Sequence, residues 1–165
     1  MKGLKIKDTS MKAQQGQYGI VFTSWNPSIV QDLLKEAKKE LISQGVDEAN
    51  IYLKEVPGAF ELPLATQFMA EKEGILSVIA LGAIIRGDTP HFDFISSSCL
   101  EGLQDVALKT RTPVICGVLT TNTIEQAEER SDPNKMNKGK EFALTALNMV
   151  AVSYTHLTLP TNREV

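Results

Sequence analysis

The sequence predicts an α/β domain, a three-layer α/β/α sandwich around a four-stranded parallel sheet. Two observations predict it. Runs rich in β-branched residues alternate with amphipathic stretches of helical length, the pattern of a parallel sheet covered on both faces. A chain of 165 residues, 42% hydrophobic and 22% charged, also suits one domain with a full-sized core.

Residues 18–23 (YGIVFT) read as the first strand. Asn26 and Pro27 then supply a cap and an N1 proline for a helix from about Ser28 to Ser43. Ile29, Val30, Leu33, Leu34, Ala37, Leu41 and Ile42 fall on one face of it, and Gln44-Gly45 ends it. Ile51 to Val56 is the second strand. A helix follows from about Phe60 to Lys72, with Pro63 tolerated near its first turn. Leu76 to Arg86 is the third strand and His91 to Lys109 its helix. Pro113 to Thr120 is the fourth strand. Asn122 and Thr123, three residues before Glu125 and Gln126, form a capping-box pattern opening a short helix to about Arg130. Asn137 caps a last helix to about Val152. Residues 1–152 thus form a single domain. Within it, residues 1–10 stand outside the alternation, and Leu4 to Lys7 can form an extra strand available to a neighbouring subunit. Residues 153–165 (SYTHLTLPTNREV) are threonine-rich and broken by a proline. They are read as a tail, disordered or foreign to the fold, and His156 within it as irrelevant to function.

Composition excludes several classes. A net charge of −3 argues against nucleic-acid binding as the main task. The opening MKGLKIKDTS has no apolar core of a signal peptide, and the longest apolar run, Ile75 to Ile85, is too short to span a bilayer. The two cysteines, Cys99 and Cys116, fit neither a disulfide framework nor a metal spacing, so a cytoplasmic location is expected. Nothing resembles a phosphate-binding Walker loop, a dinucleotide fingerprint, a zinc spacing or a nucleophilic triad.

Four motifs follow strand ends or helix starts, where open α/β sheets bind ligands. In LGAIIRGDTPHFDF (residues 81–94) a buried strand gives way to a polar turn and then to His91 at a helix mouth. Free N–H groups there can hold an anion, and an imidazole can move protons near neutral pH. The bland alternative makes Thr89 a helix cap and His91 a surface residue. Asp88 opposes an anion unless its side chain points away. The second motif is VPGAFE (56–61). Gly58 allows close approach to the backbone, Phe60 offers an apolar wall, and Glu61 accepts from N–H donors on a polar ring; a plain helix start reads the same way. The third is Arg130 with Lys135 and Lys138. Arg130 can fork two phosphate oxygens, and Lys138 stands at a helix N-terminus, where a cation implies a bound anion or a solvated face. The fourth is Trp25-Asn26, a core tryptophan or a flat platform for a heteroaromatic ring. Together they suggest a site for a ring and a phosphate with acid–base help, without metal.

PGAFELP, GAIIRGDTPHFDF, GVLTTNTIEQAEER and NKGKEFALTAL, in that order and spacing, resemble the lumazine synthase family from about Tyr18 to Val152. The resemblance implies a flavodoxin-like fold and a cofactor-free condensation of 5-amino-6-(D-ribitylamino)uracil with 3,4-dihydroxy-2-butanone 4-phosphate. It implies that Trp25 stacks on the pyrimidine, and that Ala59, Phe60 and Glu61 line the pyrimidine and ribityl site. Ala83, Ile84 and Ile85 would contact the ring through their backbone. Asp88 and Thr89 would hold the phosphate. Arg130 would clamp it from a neighbouring subunit, with Lys138 near the same anion. His91 would transfer protons. Cys116 stands where the family usually has an aromatic covering the pyrimidine from the adjacent subunit. The implied assembly is a pentamer or a multiple of it, with sites between subunits. Ser131-Asp132-Pro133 replaces the small-residue and glycine turn associated with icosahedral members. Two other functions fit the same resemblance: a riboflavin synthase of archaeal type, and a shell-forming or flavin-binding homologue that has lost catalysis.

Overall fold

The computed structural model describes residues 16–158, with side chains through Thr155. The extra strand expected at Leu4–Lys7 and the side chain of His156 lie outside what is described. The elements in chain order are β1 (Gln17–Thr23), α1 (Pro27–Ser43), β2 (Ile51–Val56), α2 (Leu62–Ala70), β3 (Ile75–Ile85), α3 (His91–Thr110), β4 (Val114–Thr121), α4 (Ile124–Ser131) and α5 (Lys138–Thr158). All strand pairings are parallel, in the order β2-β1-β3-β4. This is the expected three-layer, flavodoxin-like arrangement.

The core divides at the sheet. Tyr18, Ile20, Ile79, Leu81, Ile115 and Leu119 face one way, onto Leu33, Ala37, Ala127, Ala143 and Ala146 of α1, α4 and α5. Val21, Val78, Ala80 and Val118 face the other way, onto Leu62, Met69, Cys99, Leu103 and Val106 of α2 and α3. β3 contributes to both clusters because it is buried on both faces, which explains its near-continuous apolar sequence. On the first face, α1 and α5 approach closely at Gly139. A Cβ there would lie 2.5 Å from the Leu33 carbonyl oxygen, so no larger residue fits without separating the two helices.

Two local expectations are corrected. Asn26 is the N-cap of α1 by position, but its side chain makes no cap bond. Its φ of 54° turns the amide away from the helix, toward β3. The last helix does not end near Val152 but continues to Thr158. The hydroxyls of Ser153 and Thr155 bond back to the carbonyls of Met149 and Ala151 at 3.0 and 2.9 Å, so these residues extend the helix instead of breaking it. The first proline of the segment, Pro160, comes only afterwards.

This extension reaches β1. Burial raises the pKa of the Tyr18 phenol from 10.0 to about 12, and the nearby Tyr154 of α5 adds to the rise. The unfolded chain therefore loses that proton first. Tyr18 contributes stability that is complete below pH 10 and fades as pH climbs toward 12. The contribution is roughly 2–3 kcal/mol. Tyr18→Phe should therefore lose less stability than the parent chain between pH 10 and 11.5, as measured by denaturant midpoints. Equal slopes for the two proteins would contradict this.

Candidate active site

The order β2-β1-β3-β4 puts the reversal of strand order between β1 and β3. In such sheets the crevice outside the strands' carboxyl ends binds ligands. Here that crevice is a cleft of about 440 Å³ lined by Thr23, Trp25, Asn26, Gly58, Ala59, Phe60, Glu61, Ala83, Ile84, Ile85, Gly87, Thr89, His91, Phe92 and Ile95.

Strand lengths create it. β1 last pairs with β3 at Phe22–Leu81, and β1 ends at Thr23, whereas β3 runs on to Ile85. On its other edge β3 stays paired to β4 as far as Ile85–Thr121. The amides of Val78 and Arg86 donate to Pro113 and Thr121 on the β4 side. Backbone direction alternates along a strand, so Ala83 and Ile85 turn their N–H and C=O groups into the cleft. One of these groups is already satisfied. Asn26 Nδ2 donates to the Ala83 carbonyl at 2.9 Å. Its side chain thus closes the floor at the point where β1 stops.

The walls come from the turns after β1 and β2. Trp25 is 72% exposed and Phe60 64% exposed, so neither is a core residue. A methyl group built on Gly58 would lie 3.8 Å from the Trp25 ring and 3.3 Å from Glu61 Oε2, so indole and carboxylate flank this glycine. Glu61 Oε2 accepts from the Gly58 amide at 3.1 Å, which fixes the single 3₁₀ turn Ala59–Glu61 before α2. On the opposite wall, Pro90 is the N-cap of α3 and there is no side-chain cap bond. Thr89 therefore does not spend its hydroxyl as a cap, and His91 is the first residue of the helix.

Nine of the expected site residues meet here: Trp25, Ala59, Phe60, Glu61, Ala83, Ile84, Ile85, Thr89 and His91. Asp88, Cys116, Arg130 and Lys138 are not part of the lining. Asp88 is an exposed residue of the same turn. Arg130 ends α4, where its guanidinium bonds the Gln126 carbonyl at 2.9 Å. Lys138 opens α5 and is paired with Glu141 at 2.8 Å. That carboxylate balances the lysine's charge within the first turn of the helix. Cys116 lines a separate hollow on the outer face of α3 and β4, with Leu100, Leu103, Gln104, Ala107, Leu108 and Val114. Cys99 is buried, and burial lifts its thiol pKa to about 12, with a smaller push from Cys116, so it is no thiolate nucleophile.

Sequence reasoning missed Thr23, Asn26 in its actual role, Phe92 and Ile95. Phe92 and Ile95 had a signal: they lie one and four residues after His91 on an amphipathic helix. Asn26 had none, because its partner Ala83 is 57 residues away.

Cleft and fold together define the class. This is a doubly wound α/β domain with an aromatic-walled, imidazole-rimmed crevice at its switch point, suited to a small ring-bearing ligand. The chain belongs to the 6,7-dimethyl-8-ribityllumazine synthase family of riboflavin biosynthesis, whose defining pattern matches residues 15–153. Among the described residues no cluster of His, Cys, Asp and Glu is arranged to hold a metal, and no helix is long and apolar enough to cross a membrane.

Replacing Asn26 tests the floor of the cleft. Asn26→Ala loses the Ala83 bond and forces a left-handed alanine, a combined cost of about 2 kcal/mol. Asn26→Gly loses the bond alone. The alanine variant should melt earlier in urea than the glycine variant, and both should shift the emission of the single tryptophan. The reverse order of stability would refute the role of the φ.

Proposed function

We propose that the chain is an active lumazine synthase. It condenses 5-amino-6-(D-ribitylamino)uracil with 3,4-dihydroxy-2-butanone 4-phosphate to 6,7-dimethyl-8-ribityllumazine, releasing phosphate and water. The observation that carries this reading is the β3 extension. Ala83 and Ile85 offer peptide groups to the edge of a planar polar ring, with Trp25 beside them and His91 on the same rim.

Each residue follows from that pose. Trp25 stacks on the pyrimidine, Phe60 and Ala59 close its apolar side, and Glu61 accepts hydrogen bonds from the ring or ribityl chain. Ile84 turns its backbone to β4 and contributes its side chain. The turn Gly87–Pro90 receives the butanone phosphate, with Thr89 as hydroxyl donor and Asp88 supplying backbone. His91 moves protons as the amine meets the ketone, the imine forms, phosphate leaves and the ring closes. Much of the acceleration comes from holding two reactants together.

Asp88 carries a charge of the wrong sign for a phosphate, and the chain's own cleft contains no cation to offset it. Arg130 and Lys138 therefore act on the cleft of a neighbouring subunit, and Cys116 approaches the neighbour's pyrimidine likewise. Exposed apolar surface supports such an assembly. Phe60, in the turn before α2, and Leu64 and Phe68 of α2 are exposed at four-residue spacing, and Leu100 and Leu108 border the Cys116 hollow. A pentamer, or a multiple of it, buries them. Cys116 in place of an aromatic favours a second reading, a shell or flavin-binding protein without turnover.

The test mixes the purified protein with both precursors and follows lumazine absorbance, with light scattering on the same sample. Product and a pentamer-based mass support the main reading; lumazine or flavin binding without turnover supports the second. His91→Ala should lower kcat on the order of 10²-fold and leave measurable product. Complete loss in a folded variant contradicts a proton-transfer role. Arg130→Ala should chiefly raise KM for the phosphate substrate, and an unchanged KM would remove Arg130 from the site.

A further inference from the structure

Arg86 leaves β3 immediately before the Gly87–Pro90 turn and lies outside the cleft lining. Its guanidinium is nevertheless fixed from three directions. Nε donates to Asn122 Oδ1 at 2.9 Å. Nη1 and Nη2 donate to the two oxygens of Asp93 at 3.5 and 3.3 Å. The guanidinium carbon stands 4.3 Å from the centroid of the Phe92 ring. Phe92 and Asp93 directly follow His91 in the first turn of α3, and Asn122 follows the end of β4. One planar group thus ties the base of the turn to the helix that carries His91, and both to β4.

Magnitudes argue against a role in stability. The side chains of Arg86 and Asp93 are 43% and 59% exposed, and exposed pairs of this kind are worth about 0–1 kcal/mol. What the arrangement supplies is direction. α3 begins without a side-chain cap, and Gly87 before it has no Cβ to restrict its backbone, while Pro90 and the bonds from the Asp93 and Phe94 amides to its carbonyl hold only the last step into the helix. The Arg86 fork adds a side-chain tie across the whole turn. It spans from the residue before the turn to the residues after it, and a flexible lysine cannot reproduce its planar two-point contact.

We propose that Arg86 is a positioning residue: its contacts with Asn122, Phe92 and Asp93 hold Thr89 and His91 at their working distance across the cleft. For catalysis this rests on the lumazine synthase reading above; the geometric part does not. The fork also touches Asn122, whose amide donates to Gln126 Oε1 at 2.9 Å in the first turn of α4, the helix that ends in Arg130. The same contact set therefore sets the mouth of the chain's own cleft and the base of the helix offered to a neighbour.

The experiment compares Arg86→Lys and Asp93→Asn with the parent protein, with Arg86→Ala as the harsher variant. Three quantities are read: Tm, the separate kcat and KM for each precursor, and the His91 imidazole resonances over a pH titration. A displacement of about 1 Å costs up to 10²-fold in rate. Arg86→Lys is therefore expected to keep its Tm and lose 10-fold to 100-fold in kcat, with KM for the pyrimidine unchanged and the His91 resonances moved. Millimolar guanidinium should restore part of the kcat of Arg86→Ala. Wild-type kcat and unmoved His91 signals in Arg86→Lys would overturn the proposal. So would a rise confined to KM for the phosphate substrate, which would make Arg86 a direct anion ligand. If the parent protein makes no lumazine, the enzymatic reading fails, but moved His91 signals still support the geometric part and unmoved signals still overturn it.

Discussion

A difference in strand length governs this molecule. β1 stops three residues short of where β3 stops, and the sheet leaves part of a central strand without a partner on one edge. Peptide groups in such a place must find partners, because burying them unpaired costs about 1–3 kcal/mol each. Asn26 satisfies one of them from the turn that β1 makes on leaving the sheet. The others are presented to whatever fills the cleft. The site is thus a consequence of sheet register, and the surrounding turns decide which ligand completes it.

Most of the fold was legible because its signals are local or periodic. The apolar run Ile75 to Ile85 reads as a doubly covered strand, and it is one. The Thr123 and Gln126 capping box is formed by both of its bonds. The failures differ in kind. At Asn26 the residue type suggests a local cap bond and the structure uses a distant one, whereas Ser153–Thr155 read as a tail and continue the helix. Asn26 prefers a carbonyl 57 residues away to a helix amide, because β1 ends there and leaves that carbonyl unpaired. Ser153 and Thr155 look like helix breakers, yet their hydroxyls have carbonyls one turn back. Residue type gives the capacity for a hydrogen bond; at Asn26 the tertiary arrangement selects the partner, and at Ser153 and Thr155 the helix itself does.

The site was legible in a different way. Residues adjacent in sequence to strand ends gather in the cleft because topology sends all those ends to one rim. Arg130, Lys138 and Cys116 follow another rule, since they belong to α4, α5 and the middle of β4, away from the switch point. No amount of periodicity brings them to the rim of their own chain. Lys138, at the start of α5, is paired within its own chain with Glu141 one turn later.

Charge balance then connects the cleft to the assembly. The rim of the cleft holds Glu61 and His91, and the acidic Asp88 stands beside it in the same turn, two residues from the cation Arg86. Arg86 does not offset these carboxylates, because its guanidinium is already engaged by Asp93 and Asn122. A helix N-terminus contributes about half a positive charge, too little to hold a phosphate ester beside a carboxylate. Either the phosphate is not bound here, or a cation arrives from another molecule. In the proposed assembly a second copy of the chain would cover the exposed apolar residues of α2 and α3 and bring Arg130 with it. Under that proposal subunit association belongs to the chemistry itself: an isolated subunit would keep its ring pocket and lose its grip on the anion.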